Sequence, residues 1–130
     1  MKERDLMIGD LVTYTGDDEG PITASIEGIN EDSDFGIEIL GTCERIEDIE
    51  PIPLTAEILE KNGYSKVNGQ RYDIGEYESD FYIKVNPKKH FAHVNGKKNN
   101  VNLYDCKYVH ELQHALRLCG LDDLADNFKI

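Results

Sequence analysis

EPIPLTAEILEKNG (residues 50–63) is where the sequence changes character. Pro51 and Pro53 favour an extended segment, because a proline ring crowds the helical conformation of the residue before it. Thr55 then offers a side-chain oxygen to the unpaired N–H groups of a starting helix. Glu57 sits near the positive end of that helix, and Gly63 can adopt the left-handed conformation that ends it. The segment predicts a short linking helix, docked through Ile58 and Leu59, between two strand-rich stretches.

Upstream, LVTYT, ITASIEGI, FGIEIL and CERI are β-branched or alternate polar with apolar residues. GDDEGP and NEDSDFG separate them with turn formers. So many short strands in so little chain predict a small SH3-like β-barrel or a curled antiparallel sheet. Downstream, KVNGQRY and HVNGKK each place Asn-Gly between strand-like flanks, the strongest short hairpin signal, and FYIKV and VNLY add further strands. A final helix is expected from about residue 106 to 119. Asp105 would cap its start, Gly120 its end, and Leu121 would fold back on the last turn. DDLADNF predicts one more short helical turn. The fold class expected is therefore α+β: an acidic β-subdomain over residues 1–52, then a linking helix, a β-meander and a closing C-terminal helix over residues 53–130.

The chain of 130 residues carries a formal net charge of −12. Residues 1–52 hold 15 Asp and Glu against 3 Lys and Arg, whereas residues 53–130 hold 11 of each. The excess negative charge is entirely N-terminal. Such a surface repels phosphate backbones, so direct nucleic-acid binding is not expected, and a basic protein partner is. The cluster Lys84, Lys88, Lys89, Lys97 and Lys98 is either a solvated hairpin or a basic face for an acidic partner, including the N-terminal half of a neighbouring subunit in a homo-oligomer. No apolar run approaches the roughly 20 residues that span a bilayer. MKERDLMIGD lacks the apolar core of a signal peptide. Cys43, Cys106 and Cys119 are odd in number and without CxxC spacing, which reads as reduced thiols in the cytoplasm.

His110-Glu111-Leu112-Gln113-His114 matches H-E-x-x-H. In zinc hydrolases that spacing puts both imidazoles on one helix face and a glutamate beside the metal-bound water. At about 100° per residue, Val109, Leu112, Leu116 and Cys119 form a core face, while His110 and His114 fall on the opposite side together with Arg117. A zinc-dependent hydrolase would use Glu111 as base and His110 and His114 as ligands, and would need a third ligand. The extended motif offers Arg117 and Gly120 where it needs Gly and His, which leaves His90 or His93 on the meander, with His93 taken as the candidate. The fixed charge of Arg117 opposes a dication there. The match is accordingly read as coincidental, with no catalytic residue and no cofactor.

LMIGDLV, EPIPLTAEILEKNGY and YVHELQHALRLCG stand in this order along the chain. Together they resemble a family of small uncharacterised proteins encoded in prophages and mobile elements of gut anaerobes. There the pattern reads roughly Ile-Gly-Asn-x-Val, then EPIPLT-x-E-x-L with a glycine after the helix, then YVHxLQ. Many relatives read YVHQLQN, so Tyr108, His110, Leu112 and Gln113 belong to the shared phrase and Glu111 and His114 are variations on it. Asp10 stands where the family often has Asn, at a turn either residue serves. The resemblance implies an accessory module and brings no enzymatic activity with it.

Two further patterns carry less. Asn30, Asp32 and Asp34 have the spacing of a calcium loop, but Gly36 comes one residue late and Gly41 stands where the bidentate Glu belongs. Cys106, in the first turn of the expected helix, would have its thiol pKa lowered by the helix dipole. The function expected is a non-enzymatic interaction or accessory module of a phage-like element, with Asp17, Asp18, Glu19, Glu31, Asp32 and Asp34 as its interaction residues. The alternatives are the zinc hydrolase and a nucleic-acid mimic whose carboxylates replace phosphates.

Overall fold

A computed structural model describes residues 2, 5–16, 20–75 and 81–130. The chain divides into two compact units, Met1–Ile52 and Pro53–Ile130. It is α+β, built mostly of antiparallel strands, and among the described residues no helix is long and apolar enough to cross a membrane.

In the first unit, β1 (Leu11–Tyr14) is flanked by β2 (Ile22–Ser25) and β6 (Ile49–Pro51). A second three-stranded sheet joins β3 (Gly28–Ile29), β4 (Ile37–Ile39) and β5 (Thr42–Glu44). The chain changes sheets between β2 and β3. Ile26 N still donates to Asp10 O beside β1, while Glu27 N already donates to Glu38 O in β4. Alternation drives the apolar side of both sheets together: Leu6, Val12, Ala24, Ile26, Ile37, Ile39 and Ile49 form one buried cluster, with Tyr14, Ile29 and Ile46 packed against it. Of the two architectures the sequence allowed for this unit, the described strands follow the curled sheets and do not close into a barrel. Before β1, the Asp10 side chain accepts Met7 N at 2.7 Å and is fully buried in its turn. The carbonyl oxygen of an Asn side chain can accept the same bond.

The second unit opens with an extended segment. Pro53 bridges Tyr108, and Leu54 N donates to Lys107 O. Helix α1 (Ala56–Lys61) follows, with Thr55 Oγ1 accepting Ile58 N at 3.3 Å. Gly63 ends it at φ +86°, and Tyr64 N reaches back to Leu59 O. A five-stranded antiparallel meander comes next: β7 (Ser65–Asn68), β8 (Arg71–Gly75), β9 (Tyr82–Asn86), β10 (Phe91–Asn95) and β11 (Asn100–Leu103), in the spatial order β11-β10-β9-β8-β7. Asn68 ends β7 and pairs with Arg71, so the two-residue connection of the first hairpin is Gly69-Gln70, one residue later than the Asn-Gly reading places it. Asn95-Gly96 opens a longer loop, 96–99, and glycine is required there because a Cβ on Gly96 would stand 2.2 Å from Cys119 O. In the last two residues of that loop, Lys98 N and the Asn99 side chain donate to Cys119 O and Leu118 O, satisfying carbonyls at the end of the closing helix.

That closing helix, α2, runs Val109–Leu118. It begins three residues later than the sequence predicts, and Asp105 does not cap it. The pairing of Pro53 and Leu54 with residues 107–108 holds those positions extended until Tyr108 (φ −125°, ψ 153°). Its C-terminus follows the sequence reading: Gly120 takes φ +79° and donates to Arg117 O, while Leu121 N donates to Leu116 O and Leu121 is buried. Val109, Leu112 and Leu116 are fully buried, and the Cys119 thiol lies 3.7 Å from Val94 O on β10. Helix α3 (Asp122–Asp126) then folds back against α2.

Candidate functional site

The HELQH residues are assembled differently from a metal site. Glu111 occupies the third position of α2, and its Oε1 accepts both Lys107 N and Tyr108 N at 2.9 Å. A carboxylate there satisfies backbone donors the helix leaves open, and its charge meets the positive end of the helix dipole. His110 does not face solvent as the helical wheel places it; it is 6 % exposed. The reason is the second cover supplied by α3. Gln113 and Arg117 lie on the same flank of α2 as His110. Gln113 Nε2 donates to Ala125 O at 3.0 Å, and Arg117 reaches Asp126 at 3.8 Å. A helix with two covered sides has room for few exposed positions, and even His114 is only half-exposed. The two imidazoles meet edge-on at 5.5 Å between centroids, and Tyr108 stacks on His110 at 5.9 Å.

The third ligand required of His93 is not brought to them. Ala92 and Val94 of β10 are buried on the helix-facing side, so His93 between them points to the outer face of the sheet. There its Nδ1 lies 2.6 Å from Asn102 Oδ1 and its ring 5.5 Å from Tyr82. Among the described residues no group of three or more His, Cys, Asp or Glu is arranged to hold a metal ion.

Cys106 is likewise not an activated thiol. It precedes the helix, is 2 % exposed, and its backbone N–H donates to His90 O. Burial, reinforced by the nearby carboxylates of Glu111 and Asp105, pushes its pKa up to about 12, opposite to the direction the dipole argument gives. Cys119 is buried and also raised, while Cys43 is exposed.

The acidic interaction residues divide into two groups. Asp17, Asp18 and Glu19 lie outside the described residues. Glu31, Asp32 and Asp34 are exposed in the turn between β3 and β4. Asn30 shapes that turn: its Oδ1 accepts Asp32 N, its backbone N donates to Gly36 O, and Ser33 Oγ accepts Phe35 N. The side chain in the first position of the calcium-loop pattern is thus engaged with backbone, and the turn closes at Gly36. Beside it lies a cleft of about 310 Å³ lined by Glu31, Asp32, Ser33, Asp34, Arg45, Ile46 and Glu47. The Arg45 guanidinium lies 4.8 Å from the Phe35 ring centroid. Arg45 and Glu47 carry no local sequence signal; only the folding of the second sheet brings them to the turn.

A second surface was legible only in part. The outward residues of β8, β9 and β10 are polar or aromatic and half-buried: Arg71, Asp73, Tyr82, Lys84, Asn86, Phe91, His93 and Asn95. Lys84 stands over the Tyr82 ring at 5.4 Å, and Phe91 meets Tyr104 at 5.7 Å. The alternation of FYIKV and FAHVN signals such a face, but not which strands lie side by side in it. No protein-family model, curated protein or solved structure matches this chain.

Proposed function

We propose that this chain is a non-enzymatic, cytoplasmic protein-interaction or accessory module of a phage-like or mobile element, and that its acidic unit is the recognition surface for a basic protein partner. One observation carries the reading: residues 1–52 hold the whole net charge of −12, while residues 53–130 are balanced. Charge concentrated on one compact unit steers association and sets its specificity, whereas the same charge spread evenly would mainly serve solubility. The exposed side chains of Glu31, Asp32 and Asp34, with Glu47 at the same cleft, give the surface a defined centre. The resemblance of LMIGDLV, EPIPLTAEILEKNGY and YVHELQHALRLCG to small proteins of mobile elements supports the accessory role.

The test is binding of a lysine-rich peptide, followed by calorimetry across a salt series. Affinity should fall steeply as salt rises from about 0.1 M, where the Debye length is about 10 Å, toward about 1 M, where it is about 3 Å. The Glu31→Lys, Asp32→Lys, Asp34→Lys variant should lose roughly tenfold or more in affinity. Binding that ignores both salt and the triple variant would refute the proposal.

A further inference from the structure

We infer that the basic, aromatic end of the outer sheet face in Pro53–Ile130 docks onto the acidic Met1–Ile52 unit of a second copy of this chain. This rests on the reading of the acidic unit as a recognition surface, and it names a partner for that surface. Strand register assembles the face. Tyr72 pairs with Val85 and Asn86 with Phe91, so Arg71, Asn86 and Phe91 share a row; Ala92 pairs with Leu103, which brings Tyr104 beside Phe91. Immediately beyond that row, the turn 87–90 presents Lys88, Lys89 and His90, all exposed. The turn is held in shape because Asn86 Oδ1 accepts both Lys88 N and Lys89 N, at 3.2 and 3.1 Å. Lys84 lies one row further in.

Two properties of this patch need a complement. The first is charge: Lys88 and Lys89 are exposed in the turn, with Arg71, which pairs with Asp73 at 3.1 Å, in the adjoining row; Glu76, Glu78 and Asp80 lie outside the described residues. The second is apolar surface. Tyr104 is 78 % exposed beside Phe91, and exposed tyrosine is a residue that interface centres favour. The first unit offers both complements: its acidic turn exposes Phe35 beside Asp34, and Met7, Ile8 and Leu40 are exposed elsewhere on the same unit. A single-stranded nucleic acid would match the lysines and stack on Tyr104 and Phe91, but it would leave the exposed apolar side chains of the first unit unused, and a second copy uses both surfaces. Every copy carries both surfaces, so association needs no further component.

The inference is tested by light scattering and sedimentation of the full chain. At low salt, mass should rise with concentration above the 14.8 kDa monomer, and it should return to the monomer at about 1 M salt. The Lys88→Glu, Lys89→Glu variant and the Glu31→Lys, Asp32→Lys, Asp34→Lys variant should each weaken self-association roughly tenfold or more. Mixing the two should restore it, because reversed charges then face each other; circular dichroism checks that each variant is folded. A wild-type chain that stays monomeric at low salt, or association indifferent to both reversals, would overturn the inference. So would a sheet face that captures a single-stranded oligonucleotide in place of a second copy. If self-association fails while the acidic unit still binds a lysine-rich peptide, only this inference falls; if both fail, the proposed function falls with it.

Discussion

Cys106 shows how much a residue's chemistry depends on where the chain takes it. A thiol in the first turn of a helix ionises easily, but this one stops short of the helix and is enclosed by protein. Its pKa, raised from the ordinary 9.0 to about 12, has a consequence for stability. The unfolded chain ionises at lower pH than the folded chain, so the contribution of the buried thiol is complete below about pH 9 and is lost as pH rises toward 12. Burial raises the Tyr64 hydroxyl as well, in the same sense. Alkaline titration followed by circular dichroism should therefore show unfolding begin above about pH 9, and Cys106→Ser should change that profile. At neutral pH a thiol reagent should modify Cys43 readily and reach Cys106 and Cys119 only after denaturation. Rapid native labelling of Cys106 would contradict its enclosure.

At the scale of elements, three of the five HELQH residues have structural roles in the C-terminal helix. Leu112 belongs to the core, Gln113 ties α2 to α3, and Glu111 caps the start. Removing the cap in Glu111→Ala should destabilise the protein by about 1 kcal/mol, within the usual 0.5–2 kcal/mol for a lost helix cap. Glu111→Gln keeps an acceptor oxygen and should cost less. Thermal denaturation of the two variants separates these outcomes; equal losses would show that the cap contributes nothing. Both ends of α1 and the end of α2 were legible locally, because Thr55, Gly63 and Gly120 act within a turn of where they stand. The start of α2 was not, because a bridge from Pro53, far away in sequence, holds Tyr108 extended. The exposure of His110 was misread for a related reason. A wheel assigns one covered face, and the second cover depends on α3 turning back after Gly120.

At the scale of the whole molecule, the charge imbalance is the dominant feature. A net charge of −12 crowded into residues 1–52 makes that unit repel itself, and repulsion between surface carboxylates is screened by salt. In solutions dilute enough to keep the chain monomeric, the melting temperature should rise from low ionic strength to about 0.15 M salt, in a scan that differs only in salt. The opposite trend would mean that ion pairs, rather than repulsion, dominate the surface energetics. The sequence by itself determined the charge division, the strand-rich stretches on either side of EPIPLTAEILEKNG and the helix stops, because composition, alternation and capping act over a few residues. Only the tertiary structure decided that the first unit forms two sheets rather than a closed barrel, that His110 is buried while His93 lies across the sheet from it, and that Arg71, Phe91 and Tyr104 share a surface with Lys88 and Lys89. Those outcomes depend on strand register and on which faces later elements cover, and both are fixed by contacts between residues far apart in the chain.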